Sequence, residues 1–109
     1  YALGGHRNLL GMKAEEARGL TPVETRLTTP GPYRNVDLDS GQLPSNLQAT
    51  LLPEESETLK DVAVSVNGRI AATTEAWNFF GTWMVGVNLP TASFRQGENT
   101  IEVFSIRED

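Results

Sequence analysis

The order of apolar and polar positions along this chain reads as a succession of short extended segments. Val23, Thr25 and Leu27 alternate with Glu24, Arg26 and Thr28, which places apolar and polar groups on opposite faces of a strand. Leu47, Ala49 and Leu51 repeat the pattern against Gln48 and Thr50 after Pro44, and Val62, Val64 and Val66 repeat it against Ala63 and Ser65. β-Branched residues suit such a half-buried, pleated surface. Asn67-Gly68 follows at once, a pair that tolerates positive φ at both central positions of a type I′ turn. The spacing therefore predicts a hairpin returning through Arg69, Ile70, Ala71 and Ala72.

Farther along, residues 77–81 read as a bend rich in aromatics. Trp83, Val85, Val87 and Leu89 then share a face against Met84, Gly86 and Asn88 until Pro90 stops the strand. Gln96-Gly97-Glu98-Asn99 is a tight turn that delivers Ile101 and Val103 to the core. Phe104 and Ile106 fall on the opposite phase, which requires a β-bulge or burial on both sides of the sheet. Pro30-Gly31-Pro32 breaks the first strand, residues 33–38 resume extended structure, and Asp39-Ser40-Gly41 is a turn cluster. Residues 1–19 read as an entry segment in which Leu9, Leu10 and Met12 dock on a core and a short helical stretch over 13–18 ends at Gly19. Six or seven short strands with turn signals at intervals of about ten residues define one all-β domain over 20–109. Its expected architecture is an antiparallel β-sandwich, Ig-like or jelly-roll.

Composition narrows the picture. A chain of 109 residues holds one domain with a single core, and ten glycines and six prolines favour turns over long helices. The net charge of -5 and a pI near 4.8 argue against nucleic-acid binding, which depends on clustered Lys and Arg. No apolar run reaches the ~18 residues of a membrane-spanning helix and no signal-peptide pattern is present, so the chain as given is expected to be soluble. The absence of cysteine excludes disulfides, thiolate zinc sites and a cysteine nucleophile. A start at Tyr1 rather than Met suggests a piece of a longer polypeptide.

Candidate chemistry is sparse. His6 is the sole histidine and has no acidic or serine partner that the sequence places beside it, so no catalytic residue is assigned. Glu54, Glu55 and Glu57 form an acidic stretch whose solvated-loop reading outweighs a metal site. Asp37 and Asp39 suit backbone bonding in a turn better than calcium, which asks for six or more oxygens. Gly4-Gly5 and Gly11 lack the Lys and Ser or Thr that complete a phosphate loop, and no metal or cofactor is expected. Trp77, Asn78 and Trp83, with Phe79 and Phe80, are the richest candidates: an aromatic platform beside an amide suits the apolar face and hydroxyls of a sugar. Core or interface packing competes for the same residues. Trp83, on a strand, fits the core, and Trp77, in the preceding loop, fits an exposed position.

The run VAVSVNGRIAATT followed by LPTASFRQGENTIEVFSI, together with HRNLLGM and VDLDSGQLPSNLQATL upstream, resembles a known domain type. It is similar to the C-terminal extracytoplasmic domain of actinobacterial membrane-anchored proteins of the sulfatase-like, alkaline-phosphatase-type superfamily, and the likeness spans residues 6–106. VNGRI and FRQGENTIEV also resemble the jelly-roll accessory domains of glycosidases. The first resemblance implies a non-catalytic accessory domain, structural or orienting, outside the cytoplasm and tethered to the membrane through its parent. Its partner would be the catalytic domain of the same polypeptide, where the metal-assisted hydrolysis or transfer would reside. The matching residues Asn67, Gly68, Gly97 and Asn99 look like turn formers rather than reagents. Two alternatives stand beside it: a carbohydrate-binding module for cell-envelope glycan and a protein-interaction domain.

Overall fold

The computed structural model describes residues 9–16, 20–28, 31–34, 36–39, 43, 45–52 and 61–106. Among them run seven strands: β1 (Leu20–Leu27), β2 (Asn46–Leu52), β3 (Asp61–Val66), β4 (Arg69–Glu75), β5 (Trp77–Phe79), β6 (Thr82–Asn88) and β7 (Ile101–Ile106). Their order in space is β4-β3-β7-β1-β2-β6-β5, with every pairing antiparallel. β1 serves two neighbours in turn: Leu20 to Val23 pair with β7, and Glu24 to Leu27 pair with β2. At this change of partner the Thr25 hydroxyl donates to the Val23 carbonyl at 2.7 Å. The all-β class expected from the sequence is what forms. Its two halves are parts of one curled sheet, a half-barrel in which β4 comes round opposite β6, rather than two sheets without a common strand.

The concave side holds the main core. Val62, Val64 and Val66 meet Leu47, Ala49, Leu51, Val85 and Val103 there, closed off by Tyr33, Val36, Leu89 and Phe94. Burying each of the larger side chains contributes about 1.5–3 kcal/mol. Burial also pushes the Tyr33 hydroxyl above its ordinary titration range. The fold thus prefers the neutral phenol, and this contribution to stability is present below the unfolded-state pKa and lost as pH rises through the folded one.

The convex side of the β4-β3-β7 half is covered as well. Leu9, Ala63, Ile70 and Phe104 form a second buried cluster, flanked by Leu10, Met12, Ala14, Leu20 and Ile106. This is why every residue of β3 is buried, and why β7 carries apolar side chains in both phases. Two-sided burial, rather than a bulge in β7, accounts for Phe104 and Ile106. A register shift does occur in the neighbouring hairpin: Val64 stands opposite Ala72 and Ser65 opposite Ile70, leaving Ala71 as the extra residue and turning Ile70 to the convex side.

The cover comes from residues 9–16. Gly11 N–H donates to the Ile70 carbonyl, Ile70 N–H to the Met12 carbonyl and Ala14 N–H to the Gly68 carbonyl, each at 2.8 Å, so this segment lies along the outer edge of β4. The helical stretch expected over 13–18 is a 3-10 turn at Ala14–Glu16, and residues 17 and 18 lie outside the described residues. The expected extended stretch over 33–38 is also corrected. Gly31–Arg34 is one helical turn, α1, after which Val36 forms an isolated bridge to Gly97. Proline in a first helical turn forfeits no needed donor and its fixed φ is already helical, so the proline that breaks the first strand is compatible with this turn.

Two tight turns are knitted by side-chain amides. Asn67 and Gly68 both have positive φ (53° and 84°), as a two-residue hairpin between β3 and β4 requires. Gly97, at φ 90°, occupies the left-handed region in the turn before β7. Asn99 is buried and its side chain makes four hydrogen bonds. Its Oδ1 accepts from Asn67 Nδ2 at 2.8 Å and from Arg95 N–H at 2.9 Å, and its Nδ2 donates to the Arg95 and Gly97 carbonyls at 2.9 and 3.0 Å. Asn67 Oδ1 in turn accepts from Thr100 N–H at 2.9 Å.

Candidate functional site

The convex side of the β2-β6-β5 half differs from its counterpart. Residues directly opposite on antiparallel strands share a face. Trp77 stands opposite Met84, which stands opposite Thr50, which stands opposite Arg26. Gly86 pairs with Gln48, Asn88 with Asn46, and Phe79 with Thr82. The inward residues of β2 and β6, among them Leu47, Ala49, Leu51 and Val85, belong to the main core, so these pairs all face outward.

Trp77 is the centre of this face. Its indole Cη2 lies 3.3 Å, and Cζ3 3.8 Å, from where a Cβ on Gly86 would stand. Since Trp77 pairs with Met84, two residues before Gly86, its ring reaches along β6 and lies over the sheet rather than standing out from it. It remains 45% exposed, so about half of the side chain meets solvent. Gln48 and the Asn46 and Asn88 pair are exposed beside it, with Asn46 Nδ2 donating to Asn88 Oδ1 at 3.3 Å. No charged residue occurs over residues 76–94, in a chain whose net charge is -5.

The β5–β6 hairpin ends in Phe80-Gly81, with φ of 50° and 87°, nearly the angles of Asn67-Gly68. Asn78 Oδ1 accepts from Gly81 N–H at 2.9 Å and fixes the turn. The Phe79 and Phe80 rings meet edge to face with centroids 4.6 Å apart, and Phe80 is 92% exposed. A left-handed conformation costs a bulky residue about 1–2 kcal/mol relative to glycine, and asparagine tolerates it. Phe80→Asn is therefore expected to stabilise the domain by about 1 kcal/mol, seen as a higher urea midpoint with an unchanged slope.

The sequence-derived candidates separate in the structure. Trp83 is half-buried against the main core, Asn78 serves the hairpin turn, and Trp77 is on strand β5 rather than in a loop. Pairing with Met84 and the lie of its ring over β6 draw Trp77 into the sheet. His6, Glu54, Glu55 and Glu57 lie outside the described residues. Asp37 accepts the Asp39 N–H at 3.0 Å in an exposed turn. Among the described residues no group of three or more His, Asp or Glu side chains gathers as a metal site, and no helix is long and apolar enough to cross a membrane. Open clefts of about 470 and 560 Å³ flank the Asn67-Gly68 turn, the first with Lys13, Arg69, Glu15 and Glu102 offsetting one another.

Gln48, Met84 and Gly86 were not singled out from the sequence, because only the β2–β6 register makes them neighbours of Trp77. The uncharged run over 76–94 was the one available signal. Fold and face together define a small antiparallel β domain with an aromatic-and-amide surface. No family model, curated protein or solved structure matches the chain.

Proposed function

We propose that this chain is a non-catalytic accessory domain with a structural or orienting role, placed beside the catalytic domain of a membrane-anchored, sulfatase-like polypeptide outside the cytoplasm. The placement rests on the sequence resemblance. The observation that carries the docking role is the tip of the β5–β6 hairpin, where Phe80 is 92% exposed and held at a φ of 50° that asparagine would adopt more easily. A phenylalanine kept in a costly conformation in full solvent is explained by apolar contact with something beyond this chain.

Hydrogen–deuterium exchange on the complete polypeptide tests the reading. Uptake over residues 77–82 is expected to be slower there than in the isolated domain, and Phe79→Ser with Phe80→Ser should abolish the difference without lowering the melting temperature of the isolated domain. Equal uptake in both settings would refute the docking role. Turnover of a sulfate or phosphate ester by the isolated chain would refute its non-catalytic character.

A further inference from the structure

We infer that the convex face of β2, β6 and β5 binds a neutral glycan, with Trp77 as the stacking surface and Gln48, Asn46 and Asn88 as partners for the hydroxyls. This goes beyond an orienting role and uses residues set back from the Phe80 tip.

A sugar ring presents an apolar C–H face and a rim of hydroxyls, so its receptor needs an aromatic ring held still with one side open and amides level with its edge. The face supplies both. Gly86 leaves the space into which the indole settles, since a Cβ there would stand 3.3 Å from Cη2. One side of the ring is thus occupied by the sheet and the other is open. Strands lie about 4.8 Å apart and residues on one face recur about every 7 Å along a strand. Gln48 is therefore one strand over from Gly86, and Asn46 and Asn88 are one step farther along, distances over which one or two sugar units extend. Amides donate and accept, as hydroxyls do, and Asn46 and Asn88 are oriented by their mutual bond at 3.3 Å.

Charge selects the class of ligand. The strand pair carrying the platform has no ionic group from residue 76 to 94, Arg26 reaches the face only at its β1 border, and the chain is net acidic, which disfavours uronate-rich or phosphorylated polymers. A neutral polysaccharide or oligosaccharide fits the surface. Gly86 acts as a positioning residue: Gly86→Val fills the seat of the ring and lifts the indole from the sheet without removing it from the protein.

Affinity electrophoresis of the full chain through gels containing soluble β-glucan, α-mannan, galactan or arabinan tests the inference. Retardation by at least one polymer is expected. Affinity should fall about tenfold in Trp77→Ala, as loss of one aromatic stacking contact implies. It should fall several-fold in Gly86→Val and Gln48→Ala, and be unchanged in Glu102→Ala, on the other half of the sheet. Circular dichroism and melting curves check folding, and if Trp77→Ala does not fold, the exposed Gln48→Ala reads the same surface. Migration unaffected by every polymer would overturn the inference, as would retardation that persists in Trp77→Ala. Flotation with phosphatidylcholine vesicles, lost in Phe80→Asn and without any polysaccharide response, would reassign the surface to lipid.

Discussion

Asn99→Ala is expected to lower stability by about 3 kcal/mol, because four hydrogen bonds close on this one buried amide and their partners cannot all recover water. For a domain of this size that is a drop of about 12 °C in melting temperature. Part of the loss is indirect. Asn67 Nδ2 loses its acceptor, so the β3–β4 turn and the turn before β7 are no longer tied together. Asn99→Asp separates the two halves of the amide. It keeps the acceptor but sets a carboxylate against the Arg95 and Gly97 carbonyls, so at neutral pH it should be no better than alanine. Such a group has a raised folded-state pKa, and its neutral form supplies a donor again. The Asn99→Asp deficit should therefore shrink on acidification, an outcome that thermal melts at several pH values read directly.

Phe104→Asp is expected to abolish cooperative folding. A carboxylate placed among Leu9, Ala63 and Ile70 gives up most of its water in an apolar cluster, and a penalty of about 4 kcal/mol or more approaches the whole stability of a small domain. Two residues earlier on the same face of β7, Glu102 is already exposed, so Glu102→Ala should change stability by no more than about 0.5 kcal/mol. The contrast locates the border of the cover that residues 9–16 lay over the convex side. Were that side open at Phe104, both substitutions would be mild. Urea titrations followed by far-ultraviolet dichroism distinguish the two cases.

Much of the sheet was legible because its signals are local. The alternation of Val62, Val64 and Val66 and the Asn67-Gly68 pair specify a hairpin without reference to anything distant. The phase of Phe104 and Ile106 could not be resolved in the same way, since what covers them is Leu9 and its neighbours, far away in the chain. The turn at Gly31–Arg34 was hidden for a different reason: Pro30-Gly31-Pro32 reads as a break in a strand, and a break does not say that the next residues turn as a helix rather than extend. For the candidate face, Trp77 was visible as an aromatic of exposed type, but its seat was not. Gly86 looks in sequence like a weak point in a strand, and only the fold of the hairpin brings the indole across it.

The pairing of Gly11, Met12 and Ala14 along β4 has a bearing on solubility. A sheet that ends in bare amides and carbonyls offers a template on which another molecule can add a strand. Here one border is partly taken by the chain's own early residues, and the other is β5, only three residues long. Among the described residues each margin is interrupted, by residues 11–14 on one side and by the short β5 over Thr82 to Met84 on the other, so edge-to-edge addition of strands should be slowed at high concentration.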